Sequence, residues 1–299
     1  MRIIAPSELV INQDGSIFHL HLHPGDLATT IILVGDPGRV QQVADHFDSI
    51  ECEASNREFH TMTGMFRGKR MSVVSTGIGT DNIDIVVNEI DALFNIDFRT
   101  RTEKDQKTVL TLVRLGTCGV LTPDLKIGDR ILSRISVGFD GLLNFYKGRN
   151  QICDLEMEQI FMEKVGWSRL LTSPYFVRCS DRLAELFADV TVPGMTISAP
   201  GFYAPQGRYL RLSPADPELN AKIERFEYAG YRFTNFEMEG SALAGLAKLL
   251  GHEATTICTV IAQRVAQDME TDYRPFVDKM IVTSLEKLAQ ILKIGLSLT

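Results

Sequence analysis

Short runs of β-branched and aliphatic residues that end in glycine-containing loops constrain the fold of this chain more than any other feature. Four of these runs have the length and composition of buried strands: residues 30–34, 71–75, 109–114 and 255–261. Other segments repeat apolar residues at intervals of three and four, as amphipathic helices do: residues 40–47, 83–94, 181–187, 237–250 and 277–292. Strands that alternate with helices predict an α/β fold.

The length and composition are those of a soluble globular protein. The 299 residues are 44% hydrophobic and 23% charged, which excludes disorder as the main state. No linker rich in proline, glycine or serine divides the chain, so we expect a single domain over residues 1–299. Within it, residues 1–16 are predicted to be an N-terminal extension and the polar residues 97–108 a surface insertion.

Charge and cysteine content narrow the functional class. A formal net charge of -7 argues against a protein that binds nucleic acid, so any anion site must be compact. The five cysteines are odd in number and widely spaced, without a CxxC pair, which predicts neither a disulfide framework nor a metal site. Because no signal peptide or membrane-spanning run is recognisable, we expect a cytoplasmic protein that does not bind membranes.

The loop from Gly35 to Arg39 has the composition of an anion site. It follows the first predicted strand and opens a helix, with Pro37 suited to the first turn. Free backbone amides and the helix dipole would point at the loop, where Arg39 adds a charged donor. An equally compatible interpretation is a capped turn, with Asp36 as the cap and Arg39 in solvent.

Arg57 and Arg114 are further candidate anion ligands. Arg114 closes a predicted buried strand, at the edge of the sheet where ligands of α/β proteins collect, and Thr117 adds a hydroxyl beside it. Because a buried arginine is costly unless it is paired, its fork of donors would suit a tetrahedral oxyanion. For Arg57, a surface ion pair with a neighbour such as Glu58 is the competing interpretation.

Two further segments are candidate sugar ligands. Residues 75–82 follow a predicted strand but lack the third glycine of a dinucleotide fingerprint, so they predict either a phosphate or ribose loop or only close strand-to-helix packing. Glu237 and Glu239 stand at the start of a predicted helix, where one carboxylate would favour the helix dipole. The other carboxylate would accept hydrogen bonds from vicinal sugar hydroxyls.

Residues 201–208 combine two aromatic side chains, an amide and a guanidinium. Phe202 can stack on a planar heterocycle, Gln206 can both donate to and accept from an imide edge, and Arg208 can complement an oxygen that gains negative charge. The competing interpretation is a surface loop whose aromatic side chains fold back onto the core.

Taken in order, the motifs GDPGR, NREF, STGIG, RLGTCG, GFYAPQGR and FEMEGSAL resemble those of the uridine phosphorylase branch of the nucleoside phosphorylase family, over about residues 17–290. The resemblance implies a single-domain three-layer sandwich around a central mixed β-sheet. It also implies phosphorolysis, in which a pyrimidine nucleoside, above all uridine, reacts with phosphate to give the free base and ribose 1-phosphate. Such an enzyme is a pentosyltransferase that needs no redox cofactor.

The resemblance assigns roles to individual residues. Phosphate would be bound by Gly35, Arg39, Arg114, Thr117 and, reaching in from a neighbouring subunit, Arg57. Ribose would be held by Met238, Glu239 and, again from a neighbouring subunit, His19. The base would be held by Phe202, Gln206 and Arg208. The groups that act on the reacting bond and its charges would be Arg114, Arg208 and Glu239.

The resemblance further implies a homo-oligomer, either a dimer or a hexamer built from dimers. It permits a monovalent cation at a dimer interface near Glu58, and no other metal is expected. The partners are then a nucleoside, phosphate and further copies of the chain.

The chain departs from the bacterial members of the family in three places. Asn56 stands where a histidine is usual, Thr80-Asp81-Asn82 replaces a Gly-Pro-Ser type sequence, and the N-terminal segment and residues 99–107 are longer. These departures leave specificity open. Purine-specific relatives carry an aspartate after the late strand, whereas residues 260–264 offer no acid, which favours a pyrimidine base. The alternatives are a purine phosphorylase or hydrolytic nucleosidase with the same fold, and a non-catalytic nucleoside-binding protein.

Overall fold

The computed structural model describes residues 2–263 and 268–294, and within them strands and helices alternate. The strands are β1 (Thr30–Val34), β2 (Ser49–Asn56), β3 (Phe59–Phe66), β4 (Lys69–Ser75), β5 (Ile96–Asp97), β6 (Thr102–Glu103), β7 (Thr111–Val120), β8 (Arg130–Gly138), β9 (Tyr175–Arg178), β10 (Val192–Ser198), β11 (Glu227–Tyr228), β12 (Tyr231–Glu237), β13 (Glu253–Gln263) and β14 (Asp268–Met269). The helices are α1 (Pro37–Ala44), α2 (Thr80–Asn95), α3 (Arg149–Ile152), α4 (Leu155–Val165), α5 (Asp181–Leu186), α6 (Leu219–Glu224), α7 (Gly240–Leu250) and α8 (Arg274–Ile294).

Twelve of these strands form one mixed sheet in the order β11-β12-β10-β8-β13-β7-β1-β4-β3-β2, with β9 beside β8 and β14 beside β13. β1 runs parallel to β4 and β7, and β13 runs parallel to β7 but antiparallel to β8. The end of β12 also pairs with the end of β7. This last pairing closes β7, β13, β8, β10 and β12 into a ring and brings the ends of distant strands together.

Helices cover both faces of the sheet. Alternate residues of β1 point to opposite faces, as a strand requires: Ile31 and Leu33 pack with α2 and α7, whereas Ile32 and Val34 pack with α1 and α8. The α/β three-layer sandwich around a mixed sheet that the sequence predicted is therefore confirmed. No helix in the described part of the chain has the length and apolar character needed to cross a membrane.

Two predicted element boundaries were wrong near the ends of the sheet. The strand predicted to end at Arg114 continues to Val120, because β13 goes on pairing with it past Gly116 and Gly119. The helix predicted to begin at Glu237 begins at Gly240. Glu237 is the last residue of β12 instead, because it pairs with Ser198 of β10.

The N-terminal extension and the predicted surface insertion pack on each other. The backbone amide of Ile4 donates to the carbonyl oxygen of Arg101, at 2.8 Å, and the guanidinium of Arg101 donates back to the carbonyl of Leu9. Leu9 is itself buried in the core. Residues of the insertion contribute to the small β5–β6 sheet, and the segment is largely exposed from residue 99 to residue 107.

Candidate active site

A cavity of about 680 Å³ opens where β1, β4, β7, β12 and β13 end, the edge at which ligands of α/β proteins bind. All the predicted site residues line it except His19 and Arg57: Gly35, Arg39, Arg114, Thr117, Phe202, Gln206, Arg208, Met238 and Glu239. The structure therefore gathers groups from motifs more than 200 residues apart in the sequence.

The loop that opens α1 forms one wall of the cavity. Asp36 caps the helix by accepting a hydrogen bond from the amide of Gly38, and Pro37 occupies the first turn. Arg39 is buried rather than in solvent, and its Nη1 donates to the carbonyl oxygen of Leu115 at 3.1 Å. Burial and then the nearby Arg114 guanidinium lower the pKa of Arg39. Two buried guanidiniums, those of Arg39 and Arg114, therefore lie near each other in the wall of the cavity.

Arg114 lies on β7 between two carboxylates. Its Nη1 is 3.2 Å from Oε2 of Glu237, and its Nη2 forms an ion pair with Glu239. Although burial opposes the charged form, Glu239 and Glu237 raise the pKa of Arg114. The Nε of Arg114 is buried with no hydrogen-bond partner among the described residues. The guanidinium is thus held charged and in a fixed orientation, and its Nε can still donate a hydrogen bond.

The two acids beside Arg114 have different surroundings. Glu237 accepts hydrogen bonds from the amides of Glu239 and Gly240, at 2.9 and 2.8 Å, and from the hydroxyl of Ser198. Its carboxylate therefore satisfies free amides at the start of α7. Glu239 accepts from the Gly79 amide at 2.7 Å, and burial raises the pKa of its carboxyl, with Arg114 opposing the shift.

The glycine loop after β4 packs closely against its neighbours and also holds one of the carboxylates of the cavity. Its Gly79 amide holds Glu239, and Gly77 has a φ of +69° that favours glycine. A Cβ at Gly77 would stand 2.5 Å from Nδ2 of Asn82 and 3.1 Å from Cγ of Glu58. The loop therefore needs its glycines for close packing and also supplies a backbone donor to the site.

The loop after β10 presents a preformed set of groups. Gln206 is buried, and its Oε1 accepts a hydrogen bond from Nη1 of Arg208 at 2.5 Å. The same Nη1 donates to the carbonyl oxygen of Phe202 at 2.8 Å, and the Arg208 guanidinium lies 3.8 Å from the centre of the Phe202 ring. Phe202 is 43% exposed and lines the cavity rather than packing into the core.

His19 and Arg57 lie together on the surface, outside the cavity of their own chain. The Phe18 ring lies between them: its centre is 4.7 Å from that of the His19 ring and 5.9 Å from the Arg57 guanidinium. Arg57 is exposed, and it occupies the turn between β2 and β3 with a φ of +56°. The prediction that both residues serve a neighbouring subunit stays a prediction.

Several cavity residues were not predicted from the sequence as ligands: Ile78, Asn82, Cys118, Phe236, Ile261, Ala262 and Met269. Most of these residues lie within the sequence motifs or directly beside them. Proximity to a motif was therefore the signal in the sequence that could have identified them as cavity residues. Residue 264, considered in the sequence when an acid was sought after the late strand, lies outside the described residues.

Known proteins resemble this chain along most of its length. Residues 29–296 match the model of the Phosphorylase superfamily. The chain is 30% identical to the uridine phosphorylase of Thermococcus kodakarensis, over 86% of this chain and 80% of that protein. It is 29% identical to a DeoD-type purine nucleoside phosphorylase of Caldanaerobacter subterraneus, over 64% of this chain and 82% of that protein.

Among solved structures, the chain is similar to a Trypanosoma brucei nucleoside phosphorylase described as showing uridine phosphorylase activity. The TM-score is 0.84 at 28% identity, with 94% of this chain and 99% of the other covered.

Proposed function

The chain belongs to the phosphorylase superfamily, and from that membership we propose that it is a pentosyltransferase that converts uridine and phosphate into uracil and ribose 1-phosphate. One observation carries the substrate assignment: Arg208 fixes the amide of Gln206 inside a cavity that also contains a paired arginine and a carboxylate. The enzyme would act in nucleoside catabolism and pyrimidine salvage, in the cytoplasm. The similarity to uridine phosphorylases supports this choice.

Phosphate is proposed to lie against Gly35, Arg39, Arg114 and Thr117. The two guanidiniums are buried near each other, and burial has already removed their water. A phosphate dianion would therefore find charged donors that need little reorganisation. The glycine at position 35 lets the anion approach the backbone at the start of α1.

Ribose is proposed to bind at Met238 and Glu239. Glu239 is fixed through the Gly79 amide and faces the cavity, so its carboxylate can accept hydrogen bonds from two vicinal hydroxyls. Glu237 cannot share this role, because its oxygens are engaged by two backbone amides and by Ser198.

The base is proposed to lie against Phe202, with its edge on Gln206. Because an arginine can only donate, the oxygen of the Gln206 amide must face Arg208. The second lone pair of that oxygen can accept from N3-H of uracil, while the amide nitrogen donates to a uracil carbonyl. Cytosine has no hydrogen on N3 and would leave this acceptor unpaired.

Cleavage then needs no covalent enzyme intermediate. The bond between sugar and base breaks with positive charge developing on ribose and negative charge on uracil. Phosphate held by Arg39 and Arg114 lies at the positive end, and Arg208 with Gln206 complements the negative end. Orienting the two reactants accounts for a further part of the rate enhancement.

We propose a homo-oligomer, dimer or hexamer, in which His19 and Arg57 complete the site of a neighbouring copy. Their position outside their own cavity supports this arrangement. No redox cofactor enters the proposed reaction, and a monovalent cation near Glu58 remains compatible with it.

Uracil release tests the proposal. The purified protein is incubated with uridine, inosine or adenosine, with and without inorganic phosphate, and the free base and ribose 1-phosphate are measured. We expect phosphate-dependent release that is fastest from uridine. Release without phosphate would indicate a nucleosidase, faster release from inosine or adenosine a purine phosphorylase, and binding without release a nucleoside-binding protein.

A further inference from the structure

The hydroxyl of Ser198 connects three elements beside the cavity. Ser198 is the last residue of β10 and is fully buried. Its Oγ accepts a hydrogen bond from the backbone amide of Ser241 in α7, at 2.8 Å, and donates to Oε1 of Glu237 at the end of β12. Because an amide N–H donates and a carboxylate accepts, the single hydrogen of the hydroxyl must point to Glu237. The hydroxyl is therefore fixed in direction.

The two oxygens of Glu237 have different partners. Oε2 accepts from the amides of Glu239 and Gly240 and lies 3.2 Å from Nη1 of Arg114. Oε1 accepts from Ser198, and the described part of the chain offers it no other donor. A Cβ at Gly240 would stand only 3.2 Å from Oε1, so the carboxylate is also closely packed. The orientation in which Glu237 faces Arg114 thus depends on Ser198.

Loss of this hydroxyl would act on Arg114. A buried carboxylate oxygen without a donor is strongly unfavourable, so Oε1 of Glu237 would turn toward another donor. The guanidinium of Arg114 already contacts the other oxygen of the same carboxylate. Phosphate is proposed to bind the same guanidinium. Glu237 and phosphate would then compete for its donors.

We propose that Ser198 is a positioning residue for phosphate, because it holds Glu237 in the orientation that leaves donors of Arg114 to the anion. This inference rests on the proposed function. Ser198 is not among the described residues that line the cavity, so it acts on phosphate through Glu237 and Arg114.

The KM values of the two substrates distinguish this role from a structural one. We expect Ser198→Ala to raise the KM of phosphate about tenfold, the effect of one hydrogen bond worth about 1.4 kcal/mol. The KM of uridine should stay close to its wild-type value, because Glu239 and Gln206 keep their contacts. A hydroxyl that only stabilised the fold would lower the thermal midpoint without separating the two KM values.

Ser241→Ala is the matched control. The Ser241 hydroxyl is also fully buried, but it donates to Oδ2 of Asp140 and accepts from the hydroxyl of Tyr175. The substitution removes the same atom as Ser198→Ala and keeps the backbone amide that contacts Ser198. We expect Ser241→Ala to lower the thermal midpoint and to keep the wild-type KM of phosphate.

Two further variants test the path of the effect. Ser198→Cys places a weak donor of similar size at the same position, so it should raise the KM of phosphate severalfold even if Ser198→Ala does not fold. If Ser198 acts through Glu237, adding Ser198→Ala to Glu237→Gln should raise the KM of phosphate much less than it does in the wild type. Full additivity of the two changes would contradict that path.

An unchanged KM of phosphate in both Ser198 variants would overturn the inference while leaving the proposed function intact. So would an equal rise in both KM values, or a phosphate defect of the same size in Ser241→Ala. Absence of phosphate-dependent uracil release from the wild type would instead reject the proposed function itself.

Discussion

At Arg114, one buried guanidinium lies between two carboxylates that have separate tasks. Glu237 is engaged by backbone amides and by Ser198, whereas Glu239 contacts the Gly79 amide. An unpaired charge at this depth would cost several kcal/mol. The two acids therefore keep the guanidinium charged before any phosphate binds, and only Glu239 has capacity left for a sugar.

Replacing Arg114 by alanine should raise the KM of phosphate more than the KM of uridine. The lost charged hydrogen bonds should reduce kcat/KM about thirtyfold to a thousandfold, or about 2 to 4 kcal/mol. Initial rates with each substrate varied in turn measure both KM values. Arg130→Ala is the control, because Arg130 lies on β8, outside the cavity lining, and bonds Thr283. A larger rise in the KM of uridine would mean that Arg114 serves the ribose.

Replacing Gln206 by alanine should weaken the choice between uridine and cytidine. In the wild type, an unpaired buried polar group costs about 1 to 3 kcal/mol, so cytidine should react about one to two orders of magnitude more slowly. Gln206→Ala should slow the cleavage of uridine and reduce the difference in rate between uridine and cytidine. Gln159→Ala, on the exposed face of α4, is the control. Unchanged uridine turnover and affinity in Gln206→Ala would refute the assignment of this loop to the base.

The sequence was sufficient to single out Arg114 and Gln206 because their neighbours have an unusual composition for a strand end or a surface loop. The local composition could not separate Glu237 from Glu239, and only the resemblance to the family assigned the ribose to Glu239. The difference depends on Ser198, which is 39 positions earlier and on a neighbouring strand. A capping role that depends on tertiary pairing leaves no local signal in the sequence.

At the scale of elements, the pairing between the ends of β7 and β12 determines the geometry of the site. Gly119 faces Phe236 across this pairing, one residue before Glu237. Arg114 on β7 and the acids at the end of β12 are thereby brought within ion-pair distance. The sequence analysis underestimated the length of β7, because its composition suggested that the strand ends at its glycines. The length of the strand is determined instead by the partner strands with which it pairs.

Adding one methyl group at Gly116 should damage the site through β7 without unfolding the protein. A Cβ there would collide with Nη1 of Arg114 and stand 3.1 Å from Sγ of Cys258. Because small displacements of an aligned group can cost about a hundredfold in rate, Gly116→Ala should lower kcat/KM for phosphate by about ten- to a hundredfold. The stability cost should be about 1 to 3 kcal/mol.

Gly245→Ala on α7 is the control that distinguishes the phosphate defect of Gly116→Ala from the general effect of overpacking. Its new Cβ would stand 2.7 Å from a methyl group of Leu143, away from the cavity lining. We expect this change to lower the thermal midpoint and to leave the phosphate KM unaltered. Equal phosphate defects in both variants would contradict a specific contact between Gly116 and Arg114.

At the scale of the whole molecule, the net charge of -7 coexists with a cavity lined by Arg39, Arg114 and Arg208. Long-range attraction of polyanions is therefore weak, whereas inside the cavity the arginines lie beside four acids: Asp36, Glu58, Glu237 and Glu239. The prediction from the whole-chain charge, a compact anion site and no nucleic-acid partner, stays a prediction. The whole-chain charge carried no information about Arg57 and His19, whose positions outside the cavity become visible only in three dimensions.

Mixing two inactive variants tests whether each site takes Arg57 from another copy. Arg57→Ala and Arg114→Ala proteins are unfolded, combined in equal amounts and refolded together, with each variant refolded alone as the control. In a mixed pair, the subunit that keeps Arg114 receives an intact Arg57 from its partner, whereas the other site lacks both groups. Random pairing with two-fold symmetry then restores about a quarter of the sites, and phosphate-dependent uracil release should return to about that fraction of wild type. If Arg57 served its own chain, each site of a mixed pair would lack one arginine, and the mixture would be no more active than its components.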